Sequence, residues 1–190
     1  MENEKSKGQV LEEKLLSKPK SLGELDNALL DEAKEFCEGY KEFLGHKTER
    51  EIVDHVVPLL RKKGYKEFRH GKKYAAGDKI YMVNRGKALI MATLGKRPVS
   101  DGIRIGVSHI DSPRLDFKPN PLFESMGMAY FKTHYYGGIK KYQWFAIPLS
   151  LHGVVCMKDG STVKISIGED ESEPRFCVTD LLPHLAQNQM

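Results

Sequence analysis

The sequence has little of what marks an exported, membrane-spanning or repetitive protein. Its 190 residues contain three cysteines, Cys37, Cys156 and Cys177, widely spaced and without a CxxC pair. An odd, scattered set of this kind supports neither a disulfide framework nor a zinc ribbon, and it leads us to expect a reduced, cytoplasmic compartment. No apolar run approaches the ~20 residues of a membrane-spanning helix. The first twenty residues alternate charge sign and lack an apolar core, so a secretory signal is not expected. No internal repeat or low-complexity tract is present. A net charge of only +4, with 40% hydrophobic residues, excludes wholesale disorder.

The small net charge conceals an asymmetry. Between residues 61 and 97 twelve Lys or Arg face only Glu67 and Asp78, a local charge of +10 that leaves −6 elsewhere. Such a stretch suits a solvated edge, a subunit contact or a field that attracts acidic substrates. No RNA-binding, zinc-finger or GXXG pattern accompanies it, and no nucleic-acid partner is expected.

Hydrophobic spacing organises the first third of the chain. Residues 1–20 read as a flexible, mixed-charge arm with marginal helix potential. Ser21 and Glu24 form a capping box, and Leu22, Leu25, Leu29, Ala33, Phe36, Tyr40 and Phe43 recur at three or four residues, predicting a helix over 22–44 that Gly45 stops. Thr48 and Glu51 repeat the box ahead of Ile52, Val53, Val56, Val57 and Leu60, with Gly64 as terminator and Pro58 expected to kink or shorten the helix.

Beyond Gly64 the period falls to two. Residues 79–83 and 87–94 flank the turn Asn84-Arg85-Gly86 and predict a hairpin. Ile103, Ile105 and Val107 alternate with Arg104 and Gly106 and predict a strand running into His109-Ile110-Asp111-Ser112-Pro113. Residues 130–136, 142–148 and 152–157 read as short strands. Asp159-Gly160 joins the last of these to 161–167 as an expected type I′ hairpin. Thr179 caps a further short stretch over 180–189. Helices followed by strands, with polar residues at a strand end, predict an α/β class. A change in texture near residue 114 divides it into residues 1–113 and a β-rich module over 114–190.

Most of the seven histidines need no functional account. His46 and His70 adjoin loops and should face solvent. His55, His134, His152 and His184 keep apolar or aromatic company that predicts packing roles. His109 differs because Asp111 follows two residues later at a strand end. A metal-bound imidazole needs its second nitrogen fixed by an acceptor, which a nearby carboxylate supplies. The same pair would equally orient a histidine for proton transfer.

The longer string is more specific. His109-Ile110-Asp111-Ser112-Pro113-Arg114-Leu115-Asp116-Phe117-Lys118-Pro119-Asn120-Pro121 resembles the HxDSPxLxxKPNP segment of the M18 metalloaminopeptidases, which include aspartyl aminopeptidase. The resemblance continues through His134-Tyr135-Tyr136-Gly137-Gly138, the Trp144 region, Leu149-Ser150-Leu151-His152-Gly153 and Pro183-His184-Leu185-Ala186. It implies a metal-dependent aminopeptidase with a co-catalytic pair of divalent ions, zinc as a rule and cobalt or manganese as alternatives. It implies His109 as a metal ligand and Asp111 as the residue that orients it. It also implies a zinc-exopeptidase-type catalytic layer, incomplete within 1–113, interrupted by an inserted β-rich dimerisation module, and assembly into homododecamers that act on peptides.

Departures from the family pattern narrow this. The aspartyl aminopeptidase branch carries charged residues after its Trp, where this chain has Phe145-Ala146-Ile147-Pro148-Leu149, and a histidine near the place of Asn188. Acidic-substrate preference is therefore not expected. A two-metal hydrolase also needs bridging carboxylates, further ligands and a base. The family draws these from segments beyond the β-rich module, so the 190 residues are expected to be an inactive N-terminal portion of such an enzyme. The alternative is a non-catalytic assembly or binding module that uses exposed strand edges and the aromatic residues from Tyr135 to Trp144.

Overall fold

A computed structural model describes residues 5–17, 21 and 26–187. These residues mix helix and strand and fall into two compact units, 1–45 and 46–190.

The first unit is helical. α1 spans Lys7–Leu15 and starts with a complete capping box, the Ser6 side chain accepting from the Gln9 amide and the Gln9 side chain returning to the Ser6 amide. That S-x-x-Q signal turns nine residues of the expected flexible arm into a helix. α2 spans Asn27–Leu44, capped by Asp26, whose carboxylate accepts from the Leu29 amide at 2.8 Å. Gly45 ends it as expected. Of the capping box expected at Ser21 and Glu24, Glu24 lies outside the described residues.

The second unit is built on α3, Glu49–Lys62. The expected Thr48–Glu51 box is present in both directions, and the helix runs four residues past Pro58. The buried side chains Ile52, Val53 and Leu60 lie on one face, and with Tyr81 they form the core beside a three-stranded sheet. That sheet pairs β1 (Lys66–Glu67) parallel to β2 (Lys79–Asn84), and β2 antiparallel to β3 (Ala88–Thr93). The Tyr81 hydroxyl accepts from Arg61 Nε at 2.9 Å, so the buried phenol is satisfied. The β2–β3 turn is type I′, with Arg85 and Gly86 at φ +52° and +67°.

Two further antiparallel ribbons follow: β4 (Arg114–Ser125) with β5 (Met128–Tyr136), and β6 (Leu151–Cys156) with β7 (Thr162–Ile167). β4 contains Pro119 and Pro121, which ordinarily argue against a strand. The ribbon accommodates both in a bulge, because Phe117 pairs with Thr133 and Leu122 with Phe131, so residues 118–121 face only Lys132. The β6–β7 turn differs from expectation. Gly160 alone has positive φ, and its amide bonds the Met157 carbonyl, which makes a type I turn closed by a left-handed glycine rather than type I′.

Three other expectations fail. Residues 102–113 form no strand, and Ile103, Ile105 and Val107 are exposed, Val107 by 89%. Alternation makes a strand only where a neighbouring strand takes up its backbone hydrogen bonds, and no described strand pairs with this stretch. Residues 142–148 hold one short 3₁₀ turn, Lys141–Gln143, and isolated bridges from Phe145 to Val178 and from Leu149 to Phe176. The stretch 180–187 contains only a 3₁₀ turn at Pro183–Leu185. No helix among the described residues is long and apolar enough to cross a membrane.

Candidate metal-ligand site and its supports

The first turns of α3 carry Glu49, Glu51 and Asp54, which favour the positive end of the helix dipole. Each reaches a different strand. Asp54 pairs with Lys164 on β7. Glu51 Oε1 lies 2.8 Å from His152 Nδ1 on β6. Glu49 lies 3.3 Å from the Arg114 guanidinium at the start of β4. One short segment of helix thus pins both ribbons.

His152 is the best-satisfied histidine in the molecule. Its side chain is 10% exposed. Nδ1 faces Glu51, and Nε2 faces Glu169 Oε1 at 2.8 Å and Ser150 Oγ at 3.0 Å. Carboxylates only accept, so a ring nitrogen that faces one donates to it when it carries the proton. Burial works against the Glu51 anion, but the His152 bond and the Lys47 and Thr48 amides outweigh it and hold its carboxyl below the ordinary range. Ser150 and His152 lower Glu169 likewise. The packing role expected for His152 is joined by polar contacts at both ring nitrogens. His46, expected in solvent, instead packs at a tilt against His55 with centroids 4.3 Å apart, whereas His134 stacks on Tyr135 at an exposed position and His184 is exposed.

His109 sits in a contrasting setting. Its ring is 83% exposed at the end of the irregular segment, while the Asp111 side chain is mostly covered. Nδ1 lies 3.0 Å from the Asp111 carbonyl and 3.2 Å from its Oδ1, two acceptors that together favour the Nδ1–H tautomer. Nε2, the other nitrogen, has no hydrogen bond among the described residues. The structure thus brings the two expected site residues together in the expected sense.

Behind Asp111 stands a layer that the sequence did not signal. Interaction with the Tyr136 hydroxyl is the main influence holding the Asp111 carboxyl below its ordinary range, and the same interaction pushes the Tyr136 phenol up. The Arg114 guanidinium lies over the Tyr136 ring at 4.0 Å and donates through Nε to Asp116 at 2.8 Å. Burial opposes the Arg114 charge, and Asp116 and Glu49 restore it. Arg114 and Tyr136 are register partners across β4 and β5, a relation visible only once β4 is known to be a strand.

The donor set fits one position of a zinc site. A neutral imidazole whose Nδ1–H is engaged offers its Nε2 lone pair. No group of three or more His, Cys, Asp or Glu able to hold a metal occurs among the described residues, so His109 would be a single ligand of a larger set.

Comparison with known proteins carries this further. The family model described as aminopeptidase I zinc metalloprotease (M18) matches residues 43–190. The chain is 46% identical over 170 residues to a probable M18 family aminopeptidase 1 of Clostridium acetobutylicum, covering 87% of this chain and 37% of that protein. The crystal structure of an M18 aminopeptidase from Thermotoga maritima superposes with a TM-score of 0.80 at 40% identity, over 90% of this chain and 38% of that one. The Saccharomyces cerevisiae mApe1 dodecamer shares the fold at 20% identity, with a TM-score of 0.64 over 79% of this chain and 36% of that one. The chain spans little more than a third of the relatives that it matches. With most of its length matched, the chain belongs to the M18 family of zinc metallopeptidases.

Proposed function

We propose that these residues form part of a metal-dependent aminopeptidase that removes N-terminal residues from peptides, with His109 as a zinc ligand and Asp111 as the group that orients it. The observation carrying this reading is the His109–Asp111 geometry: one nitrogen tied to a carboxylate, the other open, on an exposed ring. In this reading residues 1–113 contribute to the catalytic layer and 114–190 to the β-rich assembly module. The remaining ligands, those of the second ion and the general base come from residues outside the 190.

Bound zinc would polarise the scissile carbonyl and lower the pKa of a coordinated water. The chain's own contribution is geometric. Asp111 accepts the Nδ1 proton of His109, so that the ring need not turn to present Nε2 to the ion. Assembly into a homo-oligomer, with a dodecamer as the expected form, draws support from the fold shared with the yeast dodecamer, and a cytoplasmic location fits the exposed, unpaired cysteines.

The test joins this chain to the C-terminal remainder of the Clostridium acetobutylicum relative. The 190 residues alone should hydrolyse no aminoacyl substrate with zinc, cobalt or manganese. The joined protein should show metal-dependent turnover that His109→Ala abolishes. Turnover that survives His109→Ala would overturn the assignment.

A further inference from the structure

We propose that the cavity between the start of α3, the β2–β3 turn and the β6–β7 ribbon binds a small organic anion, one carboxylate on an apolar body, through Arg50 and Lys87. The site is separate from His109 and does not depend on that residue's role. The cavity measures about 310 Å³, a size that suits a small ligand. Its charges are unevenly answered. Glu49, Glu51 and Asp54 line one wall, and each already has a partner, in Arg114, His152 and Lys164 respectively. Arg50 and Lys87 line the cavity too, and neither forms an ion pair among the described residues. Lys87 belongs to the basic stretch 61–97, whose surplus charge the metal-ligand site does not use.

The two cations come together for a local reason. Arg50, the second residue of α3, donates through Nη1 to the Arg85 carbonyl at 3.3 Å. A Cβ added at Gly86 would stand 3.2 Å from the same nitrogen, so the guanidinium lies against the turn that leads into Lys87. That single bond leaves the other N–H groups of a planar fork that matches a carboxylate. The ribbon supplies Val154 and Ile165, which give the ligand's body an apolar surface. Asp54 and Lys164 are 57% and 75% exposed, a solvent-edge pair that costs little to part when a ligand enters. A second anionic group would meet the three acids on α3, which restricts the ligand to one carboxylate. Bound there, it would join α3 and the β2–β3 turn to the β6–β7 ribbon.

The test titrates the ¹⁵N-labelled 190-residue chain with isovalerate, one carboxylate on a branched apolar body, and follows the backbone amides of Arg50, Lys87, Val154 and Ile165 by NMR. These four should shift saturably. Isopentylamine, of similar shape and opposite charge, should leave them in place. Lys87→Gln should weaken isovalerate binding about fivefold, the loss expected of an exposed ion pair. Arg50→Gln should weaken it about tenfold, because a charge-assisted fork is lost. Lys87→Arg should bind as wild type does, and the melting temperature of Lys87→Gln should be unchanged, which separates lost binding from lost folding. Inorganic phosphate should bind more weakly than isovalerate, since it has no apolar body to bury. Shifts that do not saturate, equal shifts with isopentylamine, or affinity undiminished in Lys87→Gln and Arg50→Gln would overturn the site. Phosphate held as tightly as isovalerate would overturn the apolar half of the assignment.

Discussion

His152 and His109 lie in one compact unit, and each has a carboxylate on Nδ1, yet they are built for opposite purposes. His152 is largely buried with both nitrogens engaged by hydrogen-bond partners, so nothing is left to offer a ligand. His109 has one nitrogen tied and its ring in solvent. The first arrangement lowers the energy of the fold. The second contributes little to it and keeps a lone pair available. In the proposed reading, His109 is marked as a ligand by the bond it does not make as much as by the one it does.

The sharpest way to break this contrast is to remove each ring in turn. His152→Ala leaves the Glu51 and Glu169 carboxylates without their shared donor and should cost about 3 kcal/mol. His109→Ala should stay within about 0.5 kcal/mol of wild type, as exposed positions do. Urea denaturation of the two variants measures both, and equal losses would dissolve the distinction.

A smaller effect sharpens the His152 half. Both its glutamates titrate below the ordinary value of 4.5, so their contribution is fully present above that value and is lost as the pH falls through the lowered values. Stability should therefore be level near neutrality and fall below about pH 4.5. Glu51→Gln should flatten that acid limb, with Glu169, more exposed and better screened, contributing less. Thermal melts from neutral to acid pH supply the measurement, and an acid limb as steep in Glu51→Gln as in wild type would remove Glu51 from the account.

The smallest effect on stability concerns the irregular segment. Val107→Ser should leave unfolding within about 0.5 kcal/mol of wild type. The same change, combined with Ile103→Ser and Ile105→Ser, should reduce self-association in light scattering, because these exposed apolar side chains favour contact with any available apolar surface. Scattering unchanged by the triple substitution would show that association uses another surface.

How much was legible in the sequence follows the same division. Capping boxes and turn residues are local signals, and Thr48–Glu51 and Arg85–Gly86 behave as their residue types require. The His109–Asp111 pair was legible because two residues of separation suffice to define it. Residues 103–107 misled because alternation records which side chains are apolar and not whether a partner strand is present. β4 was missed because Pro119 and Pro121 argue against pairing, and the bulge that absorbs them exists only between two strands. Tyr136 and Arg114 stayed hidden for the same reason: their contact depends on cross-strand register, and 22 residues of chain separate them.

The most direct test of the central claim is the zinc content of the protein formed by joining this chain to the C-terminal remainder of the Clostridium acetobutylicum relative. After dialysis against dilute zinc, wild type should retain two ions per chain. His109→Ala should lose one, and Asp111→Asn should retain both with roughly 10–100-fold weaker affinity at one site. Two ions held as tightly in His109→Ala as in wild type would show that the exposed imidazole is not a ligand.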